Sequence, residues 1–211
     1  VLSRHPQVWV LSDEIYEHLN FIPFTRFADA VPGLRDRLLT VNGVAKAWSM
    51  TGWRIGWMVV PESQIRTVER LAQNMFICPP HASQIAALAA LDCIDELEAN
   101  RATYAENRRL MLEGLPKAGF TKIAPPDGAF YAYIGCAALI GARTPKGEVL
   151  ADDTAVTQYL LTEGRVAAVP GAAYGLSPFF RISTATSDAV LTEAIRRIAA
   201  AVAALSLGET A

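Results

Sequence analysis

Three short apolar runs in the first 60 residues constrain the fold more than any other feature of this 211-residue sequence. They cover residues 7–11, 38–41 and 53–60, are rich in residues that favour β-strands, and are bounded by acidic, glycine or proline residues. Continuous apolar runs of this length are typical of strands that are buried on both faces. The sequence therefore predicts a largely covered sheet in the N-terminal part of the chain.

Helical periodicity follows the strands. A proline opens a helical pattern over residues 61–71, and the longest periodic segment covers residues 83–112, after which Gly114 and Pro116 supply a stop signal. At 1.5 Å per residue, that segment would form a helix roughly 45 Å long, enough to connect two domains. We therefore expect one long helix between an N-terminal and a C-terminal domain.

The C-terminal part has the pattern of an α+β domain. Residues 128–134, 165–169 and 179–183 have the alternation or composition of short strands. Ser187 then precedes an apolar helical stripe, and serine is a favourable residue at a helix N-cap. The pattern predicts a small domain with a few strands and a final helix.

The composition narrows the classes of partner. Nineteen basic and 21 acidic residues give a net charge of -2 without any basic run, so we expect no nucleic acid partner. No apolar stretch reaches the roughly 20 residues of a membrane span, so we expect no membrane partner either. The chain lacks an initiator Met, and we expect it to be a piece of a longer protein.

The cysteines indicate the compartment. Cys78, Cys93 and Cys136 are too few and too widely spaced for a zinc site or a disulfide scaffold, so we expect no metal and no disulfide. Free cysteines most often behave as small buried apolar residues, which is the role expected of all three. A reducing, cytoplasmic compartment fits this pattern.

The pattern that most specifically indicates a chemical function lies in residues 41–56, VNGVAKAWSMTGWRIG. It places Lys46 in a turn of small residues between two apolar strands, with Arg54 eight residues later. A lysine that forms a Schiff base needs a confined apolar setting that lowers its pKa, and a nearby guanidinium can hold a phosphate. The alternative for Lys46 is a solvated surface amine, and the alternative for Arg54 is a surface ion pair.

Residues 45–56 resemble the lysine motif of class I and II aminotransferases, which are pyridoxal-phosphate (PLP) enzymes of fold type I. The resemblance implies that Lys46 holds PLP as a Schiff base and is the catalytic base, and that Arg54 binds the cofactor phosphate. Many members have serine where this chain has Ala45, which removes a hydroxyl contact and leaves both charged groups in place.

Residues 11–18, LSDEIYEH, resemble a second segment of the same family. The resemblance implies that Asp13 pairs with the pyridine nitrogen of PLP and that Tyr16 meets the ring oxygen. A buried carboxylate would keep the ring nitrogen protonated, so that the ring can withdraw electrons. Taken alone, Asp13 is equally explained as a turn or cap residue, and neither Glu14 nor Glu17 receives a role.

Residues 170–175, PGAAYG, and 180–183, FRIS, resemble the C-terminal signature of the family. The resemblance implies that Arg181 forms a bidentate pair with the α-carboxylate of the substrate, a task that suits guanidinium geometry. The alternative is a structural salt bridge. Residues 126–131, PDGAFY, also match, and we expect their aromatic side chains to pack in a core or at a domain interface.

Together these motifs imply an α/β fold that is the C-terminal half of such an enzyme. Residues 1–82 would be the C-terminal part of the large PLP-binding domain, with a mainly parallel sheet and helices. Residues 83–115 would be the long interdomain helix, and residues 116–211 the smaller α+β domain.

The implied activity is amino transfer between an amino acid, aspartate or a related one, and a 2-oxo acid. The motifs most resemble the branch of the family that acts on aspartate and related acids, including prephenate. The resemblance also implies a homodimer, and a chain that is inactive alone because the phosphate-cradling segment of the family is missing. Two alternatives stay open. One is a PLP-binding regulatory module with the same fold, and the other is a synthase or lyase of fold type I.

Overall fold

The apolar runs of the N-terminal part form one sheet in the computed structural model, which describes residues 1–206. β1 (Val10–Asp13) pairs in parallel with β2 (Leu38–Gly43), and β2 pairs antiparallel with β3 (Gly56–Val59). The order in the sheet is β1-β2-β3. The three predicted strands are confirmed, and the sheet they form is mixed.

The predicted cover over this sheet is wrong for the described residues. All four residues of β3 are exposed, and Leu11 on β1 and Val59 on β3 are each 63% exposed. Apolar runs favour burial, but no element within residues 1–206 buries any residue of β3. The sheet therefore presents apolar side chains to solvent.

The predicted single helix over residues 83–112 is also wrong. α1 (Phe27–Ala30) and α2 (Glu62–Met75) precede it, and the segment itself contains α3 (His81–Ala90) and the start of α4 (Ile94–Lys117). α4 continues past Gly114 and includes Pro116 in its last turn.

The break between α3 and α4 has a local cause. The N–H group of Leu91 is shared between the carbonyls of Ala87 and Leu88, which tightens the last turn of α3. Asp95 and Glu96 then place two negative charges in the first turn of α4, where they favour a new helix N-terminus. The apolar periodicity crosses the break, and this is why it predicted one helix.

α3 packs its small side chains inward. Its buried residues are Ser83, Ala87 and Ala90, whereas Ile85 and Leu88 are exposed. The helix thus approaches its neighbours closely through small residues. No helix within residues 1–206 is long and apolar enough to cross a membrane.

A second sheet forms the C-terminal part. β4 (Tyr131–Gly135), β5 (Val169–Pro170) and β6 (Phe179–Ser183) are arranged in the order β4-β6-β5, and both pairings are antiparallel. The predicted strand at residues 165–169 is reduced to β5, because Arg165 has a left-handed φ of 53° that a strand does not allow.

Two helices complete this part, α5 (Asp153–Thr162) and α6 (Asp188–Ala203). Ser187 caps α6 as predicted, and its hydroxyl accepts from the N–H of Val190. Phe120 and Phe180 meet edge to face in the core, with ring centroids 5.2 Å apart. The α+β architecture predicted for this part is confirmed.

The chain divides into two compact units, Val1–Ala102 and Thr103–Ala211, with the boundary inside α4. The division of the chain into a large-domain part, an interdomain helix and a small domain stays a prediction.

The three cysteines differ in exposure. Cys136 is buried as expected, Cys93 is half-buried, and Cys78 is exposed in the connection between α2 and α3, so the expected burial is wrong for Cys78. Burial, and secondarily the charge of Asp153, raise the pKa of the Cys136 thiol to about 11. Because the thiolate is the reactive form, the Cys136 sulfur should be inert at neutral pH.

We predict that iodoacetamide at pH 8 modifies Cys78 in the native chain and leaves Cys136 unmodified, as measured by peptide mass spectrometry. Denaturation in urea is the control, since it should make all three cysteines react. Rapid modification of native Cys136 would contradict the placement of its side chain in the core.

Candidate functional site

Three charged side chains of the predicted site lie at one edge of the N-terminal sheet. Asp13 is the last residue of β1, and Lys46 follows the end of β2 by three residues. Parallel strands end at the same edge, so these two residues share it. β3 runs the other way and begins there, because Gly56 pairs with Gly43, and Arg54 lies just before it. The register of three strands thus brings Asp13, Lys46 and Arg54 to one edge.

The turn that carries Lys46 is anchored by its neighbours. Val44 is fully buried and packs against Ala87 and Ala90 of α3. On the other side of Lys46, the carbonyl of Ala47 accepts from the side-chain amide of Asn100, at 3.1 Å. The Lys46 side chain is half-buried between these anchors. The amine therefore extends from a backbone that is held on both sides.

The same segment contains strained backbone. Ser49 and Arg54 adopt left-handed φ angles of 54° and 55°, which few residues other than glycine occupy. Arg54 ends a short 3-10 helix (Thr51–Trp53), and its Nη1 donates to the carbonyl of Thr51 at 3.0 Å. Strain of this kind persists only where the surroundings impose it, and it occurs often at functional sites.

Asp13 differs from its expected state. Its carboxylate is exposed, and Oδ1 accepts from the N–H of Ile15 at 3.2 Å. The expected burial is wrong for the described residues because β1 is an edge strand, paired only with β2. Tyr16 follows in the turn and is half-buried, and its carbonyl accepts from the N–H of Leu19.

A buried polar network that was not predicted from the sequence lies beside the Lys46 turn. Asn42 is 6% exposed; its amide donates to Glu17 at 2.9 Å, and its side-chain oxygen accepts from the N–H of Gly43 at 2.7 Å. Glu17 also forms an ion pair with Arg26 at 2.8 Å. The network ties the end of β2 to the segment after β1. A polar residue at the end of an apolar run is the signal that could have revealed it, because buried polar groups need partners.

Glu14 has a related role. It is buried, and its carboxylate accepts from the Ser12 hydroxyl and from the N–H of Phe27, each at 2.9 Å. Its own N–H donates to the carbonyl of Val41. Glu14 therefore stabilises the turn that follows Asp13, whereas the sequence had assigned it no role.

Arg181 belongs to the other compact unit. It lies on β6 opposite Tyr133 of β4, is half-buried, and has no ion-pair partner among residues 1–206. Its guanidinium carbon lies 4.3 Å from the ring centroid of Tyr131 and 4.6 Å from that of Tyr174. A structural salt bridge, the alternative for Arg181, is therefore not formed within the described part of the chain.

The model of a protein family described as aminotransferase class I and II matches residues 1–198 of this chain. The chain belongs to the class I and II aminotransferase family. The predicted family and the α/β fold class are thereby confirmed.

The relatives of this aminotransferase chain include aspartate aminotransferases. That of Rhizobium meliloti (strain 1021) is 46% identical over 210 residues, which cover 98% of this chain and 51% of that protein. The aspartate/prephenate aminotransferase of Cereibacter sphaeroides is 46% identical over 209 residues, covering 98% of this chain and 52% of that protein. The chain spans about half the length of the curated relatives it matches.

Solved structures give the same family. The aspartate aminotransferase of Rhizobium meliloti aligns with a TM-score of 0.89 at 43% identity, over 97% of this chain and 52% of that one. An aspartate aminotransferase variant from Thermus thermophilus aligns with a TM-score of 0.81 at 33% identity, over 95% of this chain and 50% of that one.

Enzymes of this family use PLP, and the sheet edge of this aminotransferase chain fits the cofactor in its chemistry. It offers an amine at Lys46, a carboxylate at Asp13 and a guanidinium at Arg54. None of the three has an ion-pair partner within residues 1–206, so each is available to bind a ligand in the described structure. An aldehyde, a ring N–H and a phosphate are the groups that such side chains bind.

We predict that Gly43→Ala destabilises the N-terminal unit by about 1–3 kcal/mol. A Cβ at Gly43 would lie 2.8 Å from the carbonyl oxygen of Ile55 and 2.9 Å from the Cα of Gly56, so β2 and β3 would have to separate at the Lys46 turn. Urea unfolding followed by tryptophan fluorescence measures the change, because all four tryptophans lie within residues 9–57.

Gly52→Ala is the matched control in the same segment. A Cβ at Gly52 meets no atom within 4 Å, and the substitution should leave the unfolding midpoint unchanged. Equal midpoints for Gly43→Ala and the wild-type chain would contradict the close approach of the two strands.

Proposed function

We propose that this chain provides the Lys46 side of the PLP site in an aminotransferase, which moves an amino group between aspartate, or a related amino acid, and a 2-oxo acid. The observation that carries the proposal is that Asp13, Lys46 and Arg54 lie at the same edge of the sheet and have no ion-pair partners in the described residues. Family membership adds the cofactor and the reaction class.

Each residue at the edge has a role that follows from its chemistry. Lys46 would hold the cofactor through its amine, and its free amine would remove a proton from the substrate Cα as a general base. It then returns a proton as a general acid. When bound, PLP supplies the conjugated ring that withdraws electrons from the substrate Cα.

The other side chains hold the cofactor. Asp13 would keep the ring nitrogen protonated, Arg54 would bind the phosphate, and the Tyr16 hydroxyl would stabilise the ring oxygen. The exposure of Asp13 in the described residues means that the remainder of the enzyme must supply the apolar surroundings of its carboxylate. Without that remainder we expect the 211 residues to be inactive.

Arg181 binds the α-carboxylate of the substrate. The lack of an acidic partner in the described residues supports this role, because a guanidinium that is half-buried and not paired is available to an anionic ligand. The proposed substrates are aspartate and related acids, including prephenate as the oxo acid, because relatives at 46% identity are named for aspartate and prephenate.

The proposed enzyme is a cytoplasmic homodimer. Residues Met75, Phe76 and Ile77 support an interface, since all three are large, apolar and exposed at the end of α2. The exposed apolar faces of β1 and β3 support a second kind of contact, with the further length that the relatives have. In this enzyme, residues 1–82, 83–115 and 116–211 are the proposed large-domain part, interdomain segment and small domain.

We predict that this chain, exchanged for the corresponding half of Rhizobium meliloti aspartate aminotransferase, gives a hybrid that transfers amino groups from aspartate to a 2-oxo acid. In this hybrid, Lys46→Ala should lower the rate by at least about 100-fold, since it removes the general base. Amino-acid production by chromatography measures the rate.

Lys146→Ala is the control, because Lys146 is exposed and pairs with Glu163 at the surface. It should leave the rate of the hybrid unchanged. A folded hybrid in which Lys46→Ala keeps full activity would contradict the proposed function.

A further inference from the structure

We propose that Tyr131 and Tyr174 are positioning residues, which hold the Arg181 guanidinium between their rings and fix the direction in which it offers N–H donors to a carboxylate. This inference rests on the proposed function of Arg181 and deepens it. The motifs in the sequence assigned neither tyrosine a functional role, and the contacts described below carry the assignment.

The contact distances indicate cation–π packing on both rings. The guanidinium carbon lies 4.3 Å from the Tyr131 centroid and 4.6 Å from the Tyr174 centroid, within the range in which a ring face attracts a cation. The faces of both rings therefore contact one guanidinium. The proposed arrangement leaves the N–H donors of the guanidinium available, and these donors lie in the plane that a bidentate carboxylate pair requires.

The sheet holds Tyr131 in place. Tyr133 is the cross-strand partner of Arg181, and Tyr131 pairs with Ser183 in the same antiparallel ladder. Side chains two residues apart on a strand share a face, so Tyr131 is the diagonal neighbour of Arg181 on the face that both occupy. Its ring meets the guanidinium without any contribution from a loop.

A loop, residues 171–178, holds Tyr174, and we call it the arginine strap. The hydroxyl of Tyr133 donates to the carbonyl of Leu176 at 2.9 Å. Burial raises the pKa of Tyr133, and the nearby charge of Asp153 raises it further, so the phenol remains a donor through the neutral range. Tyr133 thus links the strap to β4, next to Arg181.

Asp153 holds the far end of the strap. Its carboxylate is 1% exposed, accepts from the Ser177 hydroxyl, and lies 3.4 Å from the backbone N of Phe179. At the near end, a Cβ on Gly171 would lie only 2.1 Å from the carbonyl oxygen of Leu176, so the strap closes on a position that only glycine can occupy. These contacts hold the strap in one conformation, and that conformation places the Tyr174 ring against Arg181.

The charge balance fits a site for a carboxylate. A cation between two rings is attracted by the ring faces, yet it keeps its charge, and no acidic side chain pairs with Arg181 within the described part of the chain. A packing role alone would be served equally by an aliphatic side chain. The rings limit the rotation of the guanidinium before the ligand arrives, which lowers the entropic cost of binding.

The test uses the 211-residue chain with 15N-labelled arginine, and succinate as an unreactive carboxylate probe. The Nε–Hε resonance of Arg181, assigned by its loss in Arg181→Lys, should be shifted upfield by the rings without any ligand. Tyr174→Leu should reduce that shift, because only the Tyr131 ring remains, and should weaken succinate binding about three- to tenfold. Tyr174→Phe keeps the ring and should restore both.

Leu176→Ala is the control in the strap, because the Leu176 side chain is exposed and its carbonyl is unchanged. If Tyr174→Leu does not fold, the variants Tyr131→Leu and Tyr131→Phe repeat the test on the ring that β4 contributes. Succinate binding lost in Arg181→Ala but retained in Tyr174→Leu, or an Arg181 resonance without ring shift, overturns the inference. The proposed role of Arg181 is overturned instead if Arg181→Ala leaves the succinate affinity unchanged, or if the wild-type chain does not bind succinate. In either case the ring shift still tests whether the tyrosine rings contact the guanidinium.

Discussion

The parallel pairing of β1 with β2 is the constraint on which the proposed cofactor site depends. It brings the end of β1, with Asp13, and the end of β2, with the Lys46 turn, to the same edge of the sheet. The return of β3 through the Gly43 and Gly56 pair then adds Arg54 to that edge. A shift of either register would separate an acid, an amine and a guanidinium that are far apart in sequence.

Both proposed binding regions use a similar physical arrangement. In each, charged side chains have no ion partner in the described residues, while the backbone that carries them or lies beside them is held by neutral or buried groups. Asn100 and Asn42 hold the Lys46 turn, and Tyr133 and Asp153 hold the loop beside Arg181. Charges kept apart from protein partners in this way are available to a phosphate or a carboxylate.

The sequence predicted the strands and the α+β C-terminal part, because these depend on local composition and on order along the chain, whereas the roles of the motif residues stay predictions. It did not predict the break after Ala90, since apolar periodicity continues through the turn that separates the two helices. Glu17 and Asn42 were missed because their partnership joins residues 25 positions apart. The rings around Arg181 were missed for the same reason: cross-strand register places Tyr131, and the fold of the loop over residues 171–178 places Tyr174.

The most direct test of the central claim is to incubate the protein with PLP, reduce it with borohydride and locate the pyridoxyl group by peptide mass spectrometry. The chain has four lysines, and Lys46 is the only one within residues 1–102. We expect the adduct to be on Lys46 and to be lost in Lys46→Ala. An adduct confined to Lys117, Lys122 or Lys146, with Lys46 unmodified, would contradict it.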